Sequence, residues 1–542
     1  MKTYIEQELQ RYLKEKNISD IQIVLQHPKE EKFGDWASNL AMQLARHLKK
    51  APREIAEDIK AHFKLHPDFV SKIEIAGPGF INFFSSGVSL YGELQSILEK
   101  GQEYGKSDLA AGRTAQVEFV SANPTGPLTI GHGRGAVLGD TICRLLEAVG
   151  YQVTREYYFN NAGRQMRVLG ESVRLRYLEL LGQSIDFPDD YYQGEYIREI
   201  ARAIFEEKGD ALRDESDITY FKDKAEEAIF TDIKNTIRRL GFAFDVFYNE
   251  KSLYDEGKID EVIAALRERG LIAEREGAVW FLTSKLGFEQ DRVFIKSTGE
   301  PTYRLPDTAY HVEKIKRGYD LIIDIFGADH IATYPDVLAA VKALGYDVSR
   351  IKVLINQFVT LTEGGEKVKM STRKANFVTL DELMDEVGVD VTRYFFLMRN
   401  MNSHLNFDLT LAKTQSDENP VYYIQYAHAR ICSILELARE RGIDPDAEAQ
   451  LSSLTAGEEI NLIKHLTRFP ATVEGSAVNY EPHRLVNYLF ELATLFHKFY
   501  TVCRVISDNK QQSLARLALI RATRTVIANG LNLLGISAPQ HM

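Results

Sequence analysis

A glycine–histidine pair, Gly131-His132, stands where an apparent β-run gives way to a helical pattern, and such a junction is built to meet a phosphate. Gln116–Val120 reads as a short strand and Asn123–Pro127 as turn formers. From Gly131 onward the apolar residues Ala136, Val137, Leu145, Leu146 and Val149 keep helical spacing. A helix N-terminus after a strand offers backbone N–H groups to an anion. Gly131 and Gly133 carry no Cβ, so a ligand can approach the backbone there. His132 adds a donor aimed at developing negative charge. On its own, a lone pair of this kind is better read as a tight βα turn with a satisfied histidine.

A second concentration of chemistry spans residues 359–380. Gly364 and Gly365 permit a hinge or hairpin turn, and Lys367, Lys369, Arg373 and Lys374 crowd the segment after them. A hinged cationic loop after an α/β strand suits transient neutralisation of a polyphosphate. Without the first motif it is better read as a solvated basic loop.

The elements that must position these residues alternate. Strand patterns at Gln116–Val120, Gln152–Phe159, Leu321–Phe326 and Lys352–Phe358 are separated by helical stretches, which predicts a doubly wound, Rossmann-like parallel α/β domain over 114–385. A mostly helical, charge-dense insertion is expected at about 170–275. Residues 1–85 read as a small α+β module with helical spacing from Trp36 to Leu48 and from Ile55 to Phe63, then a hairpin around Gly77-Pro78-Gly79. A connecting helix is expected over 86–113, and after residue 385 the β signal vanishes. A connector (386–420) then leads to an all-α bundle over 421–542.

At 542 residues the chain is too long for one core, and 44% hydrophobic with 26% charged residues matches a soluble globular protein. No apolar run reaches membrane-spanning length, and the N-terminus lacks a signal-peptide core. Cys143, Cys432 and Cys503 show no paired spacing, which argues against disulfides and structural zinc and fits a reducing cytoplasm. The net charge of -11 argues against indiscriminate nucleic-acid binding but leaves room for a local surface that recognises a folded RNA.

Taken together, the two motifs flank the predicted α/β domain as the paired signatures of class I aminoacyl-tRNA synthetases do. Thr129-Ile130-Gly131-His132 resembles the first signature and Lys369-Met370-Ser371-Thr372-Arg373 the second. Thr129 replaces the first histidine, and Thr372 replaces the second lysine, displacing charge to Arg373 and Lys374. Over nearly the whole chain the resemblance narrows to the arginyl-tRNA synthetase family. It is carried by Phe33–Asn39, Ala76–Asn82, Ser121–Pro127, Tyr157–Gln165, Tyr303–Asp307, Gly327–His330 and Asn419–Arg430; Asn161 stands where the family commonly has Asp.

The resemblance implies that L-arginine is activated by ATP to arginyl-adenylate and passed to the 2′-hydroxyl of the terminal adenosine of tRNA(Arg). His132 and Lys369 would act on the phosphates as the catalytic pair. Thr129, Gly131, Asp329, His330, Met370 and Ser371 would join them around ATP, with Mg²⁺ on the polyphosphate. Ser121, Asn123, Tyr157, Tyr303, Asp307 and Asp329 would bind arginine. Tyr303 and Asp307 share a face if their segment is helical, and a guanidinium calls for carboxylates and an aromatic surface. Tyr422, Tyr426, Arg430, Tyr500 and Arg504 would meet the anticodon, and the N-terminal module, with Asn39, the tRNA elbow. A cytoplasmic monomer without membrane or DNA partners is expected. A metabolite nucleotidyltransferase would not explain the two flanking modules. A non-catalytic RNA-binding paralogue would not need His132 and Lys369, and the cysteine-specific class I enzymes carry metal-binding thiols missing here.

Overall fold

The structure, a computed structural model, describes residues 1–28, 30–368 and 379–542. Among them, five strands form a parallel sheet: β1 (Thr114–Glu118), β2 (Gln152–Phe159), β3 (Val246–Asn249), β4 (Leu321–Gly327) and β5 (Ile351–Asn356). The spatial order is β5-β4-β1-β2-β3 with every neighbouring pair parallel. The chain leaves β1 for β2 on one side and later returns to β4 on the other. The winding therefore reverses between β1 and β4, and a crevice opens beyond their carboxyl ends. Buried residues run almost unbroken along β1 and β4, as strands covered on both faces require. This is the doubly wound fold that the alternation predicts.

Three helices bring side chains to that crevice: α1 (Ile130–Ala148), α2 (Arg304–Lys316) and α3 (Tyr334–Ala343). Helix α1 lies so close to the end of β1 that a Cβ on Gly139 would stand 2.2 Å from the Phe119 ring. No larger residue fits that contact.

Residues 1–85 form their own core around Leu9, Leu40, Ile55, Ile81 and Phe83. The expected hairpin is present as Val70–Ala76 against Phe80–Ser85. Trp36–Ser38, however, is a strand paired with Phe80–Ser85 rather than the start of a helix. Ser38 Oγ accepts the Leu40 N–H at 3.2 Å, so the helix begins only at Leu40. Two further differences concern short strands. β3 lies inside the stretch expected to be helical, and Leu405–Asp408 pairs with Val359–Glu363 beyond the point where β signal ends. Each has only four residues, too few for its period to stand out from neighbouring helical patterns.

Helices Pro420–Glu440, Gly457–Leu466, Phe469–Asn479, His483–Val502 and Lys510–Leu533 pack as the C-terminal bundle. A buried carboxylate fastens this bundle to α1. Asp140 accepts from Arg393 at 2.7 Å and from Arg144 at 2.8 Å. The same two guanidinium groups donate to the carbonyls of Leu534 and Asn532, at the end of the last helix, and of Leu240 and Gly241, at the end of helix Thr219–Arg239. Cations at helix C-termini are favoured by the helix dipole. Gly535 is needed beside this joint: its φ is +68°, and a Cβ there would stand 2.3 Å from the Arg393 guanidinium.

Candidate active site

The site begins with a strained turn. Separated from β1 only by Phe119, Val120 (φ +68°) and Ser121 (φ +44°) lie in the left-handed region. For a β-branched valine this conformation costs on the order of 1–3 kcal/mol and persists only where surroundings enforce it. The enforcement is visible. Ser121 Oγ donates to Glu118 Oε1 at 2.8 Å and accepts the Tyr158 N–H at 3.2 Å. The Tyr157 hydroxyl donates to the Ala122 carbonyl at 2.7 Å and accepts the Ala122 N–H at 3.2 Å. Asn123 Oδ1 accepts the Asn160 N–H at 3.0 Å. The turn thus swings the chain out of the sheet and holds the crevice open.

Beyond it, Thr129 has the extended backbone of a helix N-cap, and α1 begins. The Thr129 N–H donates to His132 Nδ1 at 3.1 Å, and Thr129 Oγ1 lies 3.3 Å from the same nitrogen. Nδ1 is therefore an acceptor, which leaves the proton of the neutral ring on Nε2. Burial pushes the His132 pKa down, favouring that neutral form. His132, Thr129 and Gly131 line a cavity of about 460 Å³ together with Asp329, His330 and Gln357. A Cβ on Gly131 would meet only Thr129 Oγ1, at 3.6 Å, so the space over its backbone is open to a ligand. The Gln357 wall is fixed from α1: the buried Arg134 guanidinium donates to the carbonyls of Gln357 (2.8 Å), Ser403 (2.9 Å) and Asn400 (3.1 Å).

A second cavity, of about 440 Å³, shares Val120, Ser121, Gly327, Asp329 and His330 with the first. Tyr303, exposed at its rim, and Asp307 stand one helical turn apart, the Asp307 N–H donating to the Tyr303 carbonyl at 3.1 Å. Facing them is Glu250, at the end of β3, which accepts from Tyr158 Oη and Asn160 Nδ2, both at 2.8 Å. Burial raises the pKa of both carboxyls, Asp307 to about 7, with the charges of Glu118 and Glu250 adding to the rise at Asp307 and those of His311 and Lys314 opposing it. Below lies a buried ionic layer in which Lys314 is held between Glu118 and Asp324. His311 places one ring nitrogen 2.7 Å from the Asp307 carbonyl and the other 3.0 Å from Asp324. Both ring nitrogens face acceptors; burial, the largest single influence, and Lys314 lower the pKa, but Asp324 and the Asp307 carbonyl together outweigh them and the net shift is upward. No lysine or arginine is among the described residues that line this cavity, so Asp307 and Glu250 face it without a guanidinium or ammonium partner there. A flat cation with several N–H donors would complete the pocket.

The structure brings together Thr129, Gly131, His132, Ser121, Asp329 and His330 in one cavity, and Ser121, Asn123, Tyr303, Asp307 and Asp329 in the other. It turns Tyr157 away: that side chain is fully buried among Phe230, Phe244 and Phe247 and clamps the strained turn, while Tyr158 and Asn160 line the pocket. The β2 pleat sends neighbours to opposite faces, so Tyr158 occupies the place expected for Tyr157. Glu250 is absent from the residues expected by sequence, because its strand is absent from the expected elements. Lys369, Met370 and Ser371, with Arg373 and Lys374, lie outside the described residues. On the bundle, Arg430 sits over the rings of Tyr426 (5.4 Å) and Tyr500 (5.0 Å), forming an exposed aromatic–cation cluster. Tyr422 is half-buried against the core, and Arg504 is exposed beyond the end of its helix. Asn39 precedes helix Leu40–Leu48 and accepts from Gln43 Nε2 at 2.9 Å.

A doubly wound sheet with a Gly-His helix start at its switch point has the architecture of a class I tRNA synthetase catalytic domain, and the family "tRNA synthetases class I (R), catalytic domain" matches residues 93–406. Residues 1–85 match the arginyl tRNA synthetase N terminal domain, and 424–542 the DALR anticodon binding domain. An arginine–tRNA ligase from Desulfotalea psychrophila is 55% identical over 95% of this chain and 94% of its own length. One from Pelodictyon phaeoclathratiforme is 51% identical over 97% of each. In fold, the chain is like the Thermus thermophilus arginyl-tRNA synthetase, with a TM-score of 0.77 over 99% of each chain at 22% identity. The chain belongs to the arginyl-tRNA synthetase family.

Proposed function

We infer that the protein is an arginine–tRNA ligase: it activates L-arginine with ATP, releasing pyrophosphate, and transfers the arginyl group to the 3′-terminal adenosine of tRNA(Arg). One observation carries this reading. The phosphate-suited cavity and the acidic cavity share a wall at Ser121, Gly327 and Asp329. A substrate with its guanidinium against Asp307 and Glu250 would point its carboxylate across that wall at the α-phosphate of a nucleotide lying along α1. The carboxylate oxygen attacks phosphorus, the bond to the bridging oxygen breaks, and pyrophosphate carries away the charge. No protein nucleophile is needed, so positioning and charge stabilisation supply the rate.

In this reading the His132 Nε2–H donates to the phosphates, and the α1 N-terminus adds its dipole. Asn123 and Ser121 serve the α-amino and carboxylate end of arginine, and Tyr303 covers the guanidinium. Lys369, with Met370 and Ser371, contacts the nucleotide from the second motif. Mg²⁺ would enter with the polyphosphate as part of the nucleotide substrate; among the described residues no group of three potential ligands is gathered to hold it. The Tyr426–Arg430–Tyr500 cluster offers stacking surfaces to anticodon bases, with Tyr422 and Arg504 at its margin, and the N-terminal module, with Asn39, meets the tRNA elbow. We further propose that the enzyme works as a cytoplasmic monomer; among the described residues no helix is long and apolar enough to cross a membrane.

Charging of tRNA with labelled arginine and with labelled citrulline tests the pocket. Citrulline keeps the shape and lacks the charge, so it should be rejected by a factor of about 10⁴ or more, because the pocket carboxylates would be left unpaired. Comparable charging of both would refute the assignment.

A further inference from the structure

We propose that Asp336 is a positioning residue for arginine: it fixes the first turn of α2, and with it Tyr303 and Asp307, against the segment that follows β4. This rests on the assignment of the acidic cavity to arginine. Asp336 lies in the first turn of α3 and is 1% exposed. Its Oδ2 accepts from Arg304 Nε at 2.7 Å and from Arg292 Nε at 2.9 Å. Arg304 is the first residue of α2 and directly follows Tyr303. Arg292 opens the strand Arg292–Ile295. That strand grips the residue on the other side of Tyr303: the Thr302 N–H donates to the Phe294 carbonyl at 2.8 Å, and Thr302 Oγ1 to the Val293 carbonyl at 2.7 Å. Tyr303 itself, 73% exposed, has little packing to hold it. Its place is thus set by the two residues beside it.

The geometry also ties the two walls of the pocket together. The Asp336 N–H donates to the Thr333 carbonyl at 3.2 Å, and Thr333, like Asp329 and His330, lines the acidic cavity. One residue therefore joins the two sides, its carboxylate holding the Tyr303–Asp307 wall through Arg304 and its backbone N–H holding Thr333. Two guanidinium groups converge on it from different elements, a charge-assisted arrangement that a neutral amide reproduces only in part. Asp336 is absent from the lining of both cavities, so its effect must pass through those walls.

The test is ATP–pyrophosphate exchange, run with tRNA present, on the full-length wild type and the Asp336→Asn variant, with KM for arginine and KM for ATP measured separately. The proposal predicts a rise of about tenfold in KM for arginine, with KM for ATP within about twofold. Equal rises in both, or none in KM for arginine, would overturn it. Arg304→Lys, which keeps the charge and removes the Nε donor, should give the same arginine-specific rise if Asp336→Asn fails to fold; an unchanged KM for arginine in that variant would equally overturn the proposal. In a Tyr303→Ala background the effect of Asp336→Asn should shrink to the part carried by Asp307, since residues sharing one network couple; an undiminished tenfold effect would contradict action through Tyr303. Wild-type protein showing no arginine-dependent exchange would instead refute the assignment of function, which separates the two failures.

Discussion

Protonation of Asp307 should govern how tightly arginine binds below neutral pH. Burial first, and then the charges of Glu118 and Glu250, lift its pKa from 3.8 to about 7. That is about three units, on the order of 4 kcal/mol before solvent screening at the pocket mouth is discounted. A guanidinium needs the ionised form, so below the raised pKa arginine must displace a proton. The free pocket favours the proton, and binding therefore weakens as pH falls through 7. The factor is 1 + 10^(7 − pH), so kcat/KM for arginine should drop about tenfold from pH 8 to pH 6, while KM for ATP should not follow that curve. Initial rates of pyrophosphate exchange with tRNA at sub-saturating arginine read this directly. Asp307→Asn removes the titrating group; it should flatten the profile and weaken arginine use at pH 8 by about 1.5–3 kcal/mol, ten- to hundredfold. A wild-type profile that is flat between pH 6 and 8, or an Asn variant that keeps the slope, would refute the reasoning.

The geometry sets three further outcomes. His132→Ala removes a neutral donor held on Nε2 by the Thr129 N–H, and should cut the maximal exchange rate by about 10²–10³ with KM for arginine little changed; a normal rate would remove His132 from the phosphate site. Asp140→Ala leaves the buried Arg393 without its carboxylate and should cost about 3–5 kcal/mol in stability, read as a fall in chemical-denaturation midpoint; an unchanged midpoint would show that the joint is not structural. Tyr157→Phe loses both hydroxyl bonds to Ala122 and should cost about 1–3 kcal/mol of stability, with a loss of exchange rate that higher arginine does not restore; full activity would mean that the strained turn holds without its clamp.

How much of this is legible in the sequence depends on what each residue obeys. The Gly131-His132 turn is readable because a helix start fixes its own spacing, whereas Tyr303 and Asp307 are reached through the family resemblance, the single helical turn between them only permitting a shared face. The alternation of β1, β2, β4 and β5 with helices likewise announces the doubly wound sheet. Glu250 escapes because it ends a four-residue strand set among helical charge runs, and only pairing with β2 makes that strand. Tyr157 and Tyr158 are exchanged because a period of two places neighbours on opposite faces, and sequence alone does not say which face is the pocket. Asp336 carries no signal: its two arginines lie 44 and 32 residues away and meet it only in the fold.

The central claim is that the two cavities form a single site that adenylates arginine. Pyrophosphate exchange, measured with each amino acid in turn and with and without tRNA(Arg), tests it most directly. Exchange driven by arginine, with the other amino acids at background, is the predicted result. Exchange driven by a different amino acid, or none with arginine even when tRNA is present, would contradict it.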